Sequence, residues 1–369
     1  DVYKRQVQDS QGRPLDADAQ GSLLGESILA IRAGRTTLDP LNGLVMRAGL
    51  HWREVDVVRA VATYAFQMQA VPSRSSIPAA LARYPDMARG FVEWFKAKFS
   101  PRDDEGGRGT DVRVARARYL AGLGAVDALA DDRALRRLGT LLDAAVRTNY
   151  FRCGGLAPTR ESGGAPYISI KFDSQRLSEI LKSRLTWEVW VRSARMEGVH
   201  LRGSNVARGG IRWSDRPDDF RTEILGLVNT QMVKNAVIVP GGSKGGFVLL
   251  DPPDDPEARA EEAKAQYQTL QRGLLDLTDN LDPSGEIVAP SDVVCWDDPD
   301  PYLVVAADKG TAKFSDVANG VSDEYGFWLQ DAYASGGSNG YDHKAVGITA
   351  RGAWECVKRH FRELRKDIQ

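Results

Sequence analysis

The sequence predicts an α/β protein in which a helical N-terminal region is followed by a mixed or largely parallel sheet with flanking helices. Three patterns support this fold class. Before residue 150, apolar residues recur at steps of three and four, the period of a helix packed on one side. After residue 150 the period becomes two, and short, continuously apolar runs then appear, as in strands that helices cover on both faces.

The region 1–150 is predicted to be a helical scaffold or oligomerisation region. In the segment 52–66, Val55, Val58 and Ala62 follow one another at helical spacing, which predicts one buried helix face. Further helices are predicted at 77–84, 87–99 and 114–148, with a charged, glycine-rich loop at 101–109.

The region after residue 150 is predicted to form the sheet. Alternation predicts half-buried strands at 167–172, 187–192 and 199–202. Apolar runs predict buried strands at 236–239, 247–250 and 302–307. Between the last two, an apolar stripe from Ala263 to Leu281 predicts a helix.

Composition excludes several classes of partner. The 369 residues carry 49 basic and 50 acidic side chains, so we expect no nucleic acid and no anionic membrane surface. No apolar run approaches the roughly 18 residues that a membrane span needs. Three scattered cysteines indicate a reducing, cytoplasmic setting, and the four histidines lack metal-ligand spacing, so no metal is expected.

The run from Gly241 to Gly246 frames a single lysine, Lys244, with four glycines. Glycines let the main chain approach a small substrate closely, which an exposed lysine does not need. The run by itself fits a glycine-rich turn equally well. It does not fit a phosphate-binding loop, because only two residues separate Gly241 from Lys244.

Other chemistry-bearing residues follow or precede neighbouring strands. They are Arg208 with its glycine pair Gly209 and Gly210, Gln231 and Lys234 at the end of a predicted helix over 218–233, and Asp308 directly after an apolar strand. Ligands of α/β sheets bind beyond the carboxyl ends of strands. We therefore expect these groups to gather with Lys244 at one edge of the sheet.

The group suits a small anionic substrate. Arg208 and Lys234 provide two separate cations, as a substrate with two carboxylates requires. A lysine among other cations and partly removed from water loses its proton more easily, so Lys244 can serve as a general base toward water. Surface ion pairs would explain any one of these residues, but all of them together much less well.

Four ordered motifs resemble the substrate domain of glutamate dehydrogenases. They are Arg208 to Arg212, Gln231 to Ala236, Gly241 to Gly246 and Ala307 to Thr311. The surrounding sequence, including Tyr341-Asp342-His343-Lys344, is similar to the large bacterial NAD-specific class. The resemblance extends from about residue 20 to the end and is strongest after residue 150.

The resemblance implies a role for each matching residue. Lys244 would activate water, and Asp308 would transfer protons during the imine and ammonia steps. Lys234 and Gln231 would hold the α-carboxylate, and Arg208 the distal carboxylate. Small glutamate dehydrogenases carry a lysine where Arg208 stands; the arginine keeps the charge, which favours glutamate over apolar amino acids. Thr349 would lie near the nicotinamide.

The implied reaction is the NAD-dependent oxidative deamination of L-glutamate to 2-oxoglutarate and ammonium, in a homo-oligomer. Residues 151–352 would form the substrate-binding catalytic domain, and 353–369 a helix leading to the NAD-binding domain. No GxGxxG motif occurs in the sequence, so we expect the main NAD site to lie outside this chain and the chain to be an inactive fragment.

Two alternatives from other classes are kept. The first is a lyase or aldolase in which Lys244 forms a Schiff base with a keto acid. The second is a dicarboxylate-binding module without catalysis.

Overall fold

The computed structural model describes residues 17–101, 107–152, 167–181, 185–231, 241–340 and 343–367. Its α-helices are α1 (Ala17–Arg32), α2 (Gly43–Arg47), α3 (Trp52–Gln67), α4 (Ser76–Arg83), α5 (Pro85–Phe99), α6 (Arg108–Gly122), α7 (Leu129–Ala144), α8 (Ser178–Leu181), α9 (Phe220–Gln231), α10 (Pro256–Leu275), α11 (Ser315–Glu324), α12 (His343–Val346) and α13 (Ile348–Glu363). Its strands are β1 (Ala145–Thr148), β2 (Tyr167–Asp173), β3 (Trp187–Ser193), β4 (Met196–Arg202), β5 (Ala207–Trp213), β6 (Gly241–Leu249), β7 (Asn280–Leu281), β8 (Ile287–Val288), β9 (Val304–Ala307) and β10 (Ala334–Ser335).

Helix α3 begins where its sequence provides a cap. The His51 N–H donates to Glu54 Oε2 (2.8 Å), and the Arg53 N–H donates to His51 Nδ1 (3.1 Å), which satisfies two backbone donors of the first turn. Burial extends around nearly the whole helix rather than along the single predicted face. The reason is that α3 lies between other helices and the sheet, where Tyr64 stacks on Phe172 at 4.4 Å between ring centroids.

The main sheet is mixed, as predicted. Its strand order is β1-β2-β3-β4-β6-β5-β9-β10. Neighbours from β1 to β6 in this order are antiparallel, whereas β6, β5, β9 and β10 are parallel to one another. Because hydrogen bonds join both kinds of ladder through β6, the two halves form one continuous sheet.

Helices cover both faces of this sheet. On one face, Phe95, Leu138 and Phe220 of the helical layer share a hydrophobic core with Trp190 of β3. On the other face, Leu270 of α10 and Val321 of α11 pack against Ile211 and Phe247. The α/β fold class is therefore confirmed. Within the described part of the chain, no helix is long and apolar enough to cross a membrane.

Two predicted helices are wrong in extent. The segment 114–148 divides into the end of α6, all of α7 and then β1, which pairs with β2 through Ala145 and Phe172. The stripe to Leu281 ends earlier, since α10 stops at Leu275 and Leu281 belongs to β7. Short apolar runs suit either element, and pairing with a distant strand decides between them.

The glycine-rich runs are strands rather than strand ends. Gly241 to Gly246 lies inside β6, and Arg208 to Gly210 lies inside β5, both in the middle of the sheet. Glycine has no side chain, so these strands show no alternation by which sequence reasoning could find them. The predicted strand 236–239 lies outside the described residues.

Candidate active site

The candidate site lies on the face of the sheet where β5, β6 and β9 meet beside α9. Lys244 stands in the middle of β6 and shares its face with Gly242 and Gly246, because alternate strand residues point the same way. A Cβ atom at Gly246 would lie 2.5 Å from Ile224 Cδ1, and one at Gly242 would lie 2.5 Å from the backbone carbon of Gln231. Glycines on both sides of Lys244 therefore let α9 lie directly on β6.

The glycine pair of β5 is also required by close contacts. A Cβ atom at Gly210 would lie 2.9 Å from the Ala307 carbonyl oxygen, 3.2 Å from Asp308 Cβ and 3.3 Å from Lys244 Nζ. One at Gly209 would lie 1.5 Å from the Ser243 carbonyl oxygen, a distance too short for any side chain. Gly209 thus lets β5 lie close to β6, and Gly210 leaves space on the other face for one amine and one carboxylate.

Lys244 and Asp308 form an ion pair across this space. The Nζ and Oδ2 atoms are 2.5 Å apart, and the side chains are only 7% and 18% exposed. Asp308 comes directly after β9, as the sequence predicts. The pair meets on the face of the central strands and not at the edge that we expected.

The Asp308 carboxylate is held in place from several sides. The Asp308 N–H donates to Thr311 Oγ1 (3.1 Å), and the Thr311 hydroxyl donates to the Ile211 carbonyl (2.6 Å). Burial disfavours the charged carboxylate. Hydrogen bonds from Lys244, the Lys309 backbone and Arg212 outweigh burial and hold the pKa of Asp308 below its ordinary value. Asp308 is therefore ionised at neutral pH.

Two residues of the site, Arg212 and Glu223, were not predicted from the sequence to take part in it. Arg212 Nε lies 3.3 Å from Asp308 Oδ2, and its Nη1 lies 2.8 Å from Glu223 Oε1 on α9. Arg208, Gly210 and Arg212 alternate along β5, so recognising that strand would have placed Arg212 on the face of the site.

The other predicted site residues have different positions. Arg208 is half-buried, and its Nη2 donates to Ser335 Oγ (3.0 Å) of β10. Gln231 is the last residue of α9 and lies over Gly242. Thr349 is exposed in α13, a helix that buries none of its residues. Lys234 lies outside the described residues.

An amine and a carboxylate in contact can exchange a proton, and Arg208 offers a cation farther along the same face. The fold and site thus define the class: an α/β protein with a largely buried lysine–aspartate ion pair on the central strands of its sheet.

Comparison with known protein families identifies the family within this class. Residues 119–369 match the family described as bacterial NAD-glutamate dehydrogenase, catalytic domain, and residues 36–101 match glutamate dehydrogenase helical motif 3. The chain therefore belongs to the family of bacterial NAD-glutamate dehydrogenases, and the resemblance found in the sequence is confirmed.

Three relatives bear the name NAD-specific glutamate dehydrogenase. The chain is 51% identical to that of Halomonas elongata over 346 residues, which is 93% of this chain and 21% of the relative. It is 50% identical to that of Mycobacterium tuberculosis, with the same two shares, and 46% identical to that of Pseudomonas aeruginosa, with shares of 98% and 22%. The chain thus spans about a fifth of the length of these curated relatives.

Proposed function

We propose that this chain carries the substrate-binding and proton-transfer part of an NAD-dependent glutamate dehydrogenase, which converts L-glutamate and water to 2-oxoglutarate and ammonium. The observation that carries the proposal is the 2.5 Å contact between Lys244 Nζ and Asp308 Oδ2 beside Gly210. The names of the relatives support the substrate and the cofactor.

The substrate's two carboxylates would be held at the level of Gly242. Arg208 pairs with Gly242 in the sheet and extends toward Ser335, whereas Gln231 lies above Gly242 at the end of α9. We assign the distal carboxylate to Arg208, and the α-carboxylate to Gln231 and Lys234. The substrate would then present its amine-bearing carbon to Lys244 and Asp308.

The protons would be moved by the lysine–aspartate pair. Lys244 must first pass its own proton to Asp308, and it can then take a proton from the water that attacks the substrate imine. Asp308 would return a proton to the departing nitrogen. Both residues are restored when ammonium leaves, so the pair can act repeatedly.

NAD would supply the acceptor for the hydride that leaves the substrate carbon. Among the described residues we assign it only Thr349, which is exposed in α13, and the sequence has no GxGxxG motif. These residues do not make a dinucleotide site, so we assign no step through the cofactor.

Arg208 gives the most direct test of the substrate. In a full-length enzyme of the family that carries these motifs, Arg208→Met should lower kcat/KM for L-glutamate by about 10²–10³-fold, because an ion pair to the distal carboxylate is lost. NADH absorbance measures the rate. Activity with L-leucine should fall much less. Arg272, which forms an ion pair with Glu324 away from the site, provides a control. Arg272→Met should leave both rates unchanged. Equal losses for glutamate and leucine would contradict the assignment.

The two alternatives make different predictions. A Schiff-base enzyme would be trapped at Lys244 by borohydride in the presence of 2-oxoglutarate, whereas we expect no adduct. A binding module would keep both 2-oxoglutarate binding and full activity after Lys244→Ala. We expect that substitution to abolish most of the activity.

The division of the chain is also a proposal. We assign residues 1–150 to a scaffold through which subunits associate, 151–352 to the catalytic domain and 353–369 to the connection with a cofactor domain. The shared core of Phe95, Leu138 and Trp190 supports a rigid contact between scaffold and sheet. Sedimentation of the full-length enzyme tests the homo-oligomer.

A further inference from the structure

Arg212 connects the catalytic carboxylate to helix α9. Its side chain leaves β5 on the same face as Gly210 and is only 20% exposed. Two of its nitrogens face Asp308, with Nε 3.3 Å from Oδ2 and Nη2 3.5 Å from Oδ1. Its third nitrogen, Nη1, lies 2.8 Å from Glu223 Oε1. The guanidinium therefore lies between two carboxylates from different elements.

Glu223 is itself fixed. The Ser214 hydroxyl donates to Glu223 Oε2 (2.6 Å), and the Ser214 N–H donates to the Phe247 carbonyl at the end of β6 (2.9 Å). Both oxygens of Glu223 are thus engaged by groups on or directly after β5. The first turn of α9 therefore contacts β5 through Glu223 and Arg212, and β6 through Ile224 and Gly246.

The two contacts of Arg212 differ in strength. Strong charge-assisted hydrogen bonds measure about 2.7–2.9 Å, as between Arg212 and Glu223, whereas both contacts to Asp308 are longer. Arg212 therefore orients the carboxylate without occupying all of its hydrogen-bonding capacity. Asp308 keeps the capacity to accept a proton. Arginine also stays charged throughout the working pH range, which a lysine that exchanges protons does not.

We propose that Arg212 is a positioning residue, held by Glu223, that keeps Asp308 aligned while Lys244 gives up and regains its proton. This inference rests on the proposed proton-transfer roles of Lys244 and Asp308. Helix α9 carries Glu223 in its first turn and ends at Gln231, to which we assign the α-carboxylate.

Removal of Arg212 should also change how kcat depends on pH. The groups that face Asp308 are Lys244 from β6, Arg212 from β5, and Thr311 and the Lys309 backbone from the loop after β9, with Glu223 of α9 behind Arg212. Although burial disfavours the carboxylate, Arg212 is one of the groups that lower the pKa of Asp308. Removing Arg212 should raise that pKa, so the acid limb of the kcat profile should move to higher pH.

The test uses Arg212→Met, Arg212→Lys and Glu223→Gln in a full-length enzyme of the family that carries these residues. We expect Arg212→Met to lower kcat by up to about 10²-fold, with KM for glutamate nearly unchanged and the acid limb shifted upward. Arg212→Lys should recover part of kcat, and Glu223→Gln should give a smaller change in the same direction. Arg216, which pairs with Asp219 on the surface, provides the control Arg216→Met.

Two outcomes would overturn the inference. One is an Arg212→Met enzyme with the kcat and pH profile of Arg216→Met, and the other is a loss confined to KM. The titration of the Asp308 carboxyl carbon by NMR, assigned with Asp308→Asn, gives a readout that needs no turnover. If Arg212→Met shifts that titration but the unmodified enzyme does not oxidise glutamate, the proposed function fails and the role of Arg212 in holding Asp308 stands. If glutamate is oxidised and the titration does not move, the proposed function stands and only the role of Arg212 is contradicted.

Discussion

Two ion clusters in this molecule use the same residue types in different settings. The open cluster consists of Lys244, Asp308, Arg212 and Glu223, with side chains that are 7–20% exposed. The closed cluster consists of Arg147, Lys171, Arg202, Asp279, Asp297 and Asp300, with side chains that are 1–5% exposed. Each cluster contains as many cations as carboxylates.

In the closed cluster, each side chain contacts at least one partner of opposite charge. Lys171 Nζ lies 2.7 Å from Asp297 Oδ2 and 2.6 Å from Asp300 Oδ2, and it also lies 4.2 Å from the centroid of the Trp187 ring. Asp300 receives two further hydrogen bonds from Arg202, at 2.7 and 2.8 Å. The side chains of the cluster are at most 5% exposed, so the cluster ties strands β1, β2 and β4 to the segment 279–300.

The open cluster is held less completely. Among the described residues, Lys244 contacts one carboxylate, Asp308, and the contacts of Arg212 to that carboxylate exceed 3 Å. Glycines surround the pair where the closed cluster has a tryptophan ring. A Lys–Asp contact is thus present in both clusters, and what distinguishes the pair to which we assign proton transfer is its fewer contacts and the close-packed glycines beside it.

Matched lysine substitutions should separate the two clusters most strongly through activity. In the full-length enzyme, Lys244→Met should lower kcat for glutamate oxidation by about 10²–10⁴-fold, because the general base is lost. Lys171→Met, studied under conditions in which the enzyme is folded, should keep kcat within a few-fold. NADH formation measures both. Similar losses in both variants would mean that Lys244, too, is structural.

The same two substitutions should have the opposite order of effect on stability. Lys171→Met removes one partner from a buried network and should lower the free energy of unfolding by about 3–5 kcal/mol. Lys244→Met should lower it less, since Asp308 keeps its contact with Arg212 and is partly exposed. Urea denaturation of the purified protein, followed by circular dichroism, measures the difference. A larger loss for Lys244→Met would invalidate the comparison.

Acid should weaken the closed cluster by a smaller amount. Burial disfavours the Asp300 carboxylate, but Arg202 and Lys171 outweigh burial and lower the pKa of Asp300 from 3.8 to about 2. The folded state therefore binds this proton less readily than the unfolded state does. The contribution is complete above pH 4 and is lost as the pH falls toward 2, with a total of roughly 2 kcal/mol.

Asp300→Asn provides the comparison for this effect. The difference in unfolding free energy between the original protein and Asp300→Asn should shrink as the pH falls from about 4 to 2. Urea denaturation at several pH values gives that difference. A constant difference over the whole range would show that Asp300 is not stabilised as an anion.

Much of the fold was predictable because its elements carry their own periodicity. Strands β2 and β3 alternate along their length, and helices α4 and α5 repeat at helical spacing, so each appeared close to its predicted bounds. Strand β5 and residues 241–246 of β6 did not, because glycines replace the side chains that would show alternation, whereas 247–249 of β6 falls within the predicted strand 247–250. Their pairing partners lie far away in sequence, and only the assembled sheet identifies them as strands.

The site was predictable in composition but not in geometry. The motifs around Lys244 and Asp308 identified both residues, and the structure brings their side chains into contact. Arg212 and Glu223 were missed because they meet only when α9 lies on β6 beside β5, an arrangement of elements that no local pattern encodes. The closed cluster was missed for the same reason, since Lys171 and Asp300 are 129 residues apart.

The sequence by itself determined the α/β class, the family and the identity of the lysine and the aspartate, because each depends on local period or on motifs within a few residues. The tertiary structure alone decided that the glycine runs are central strands and that Arg212 links Asp308 to α9. It also decided which lysine lies in the closed cluster, between two carboxylates, and which lies in the open cluster, beside one. The physical reason is that burial and charge pairing depend on distances between elements, and these exist only after the chain has packed.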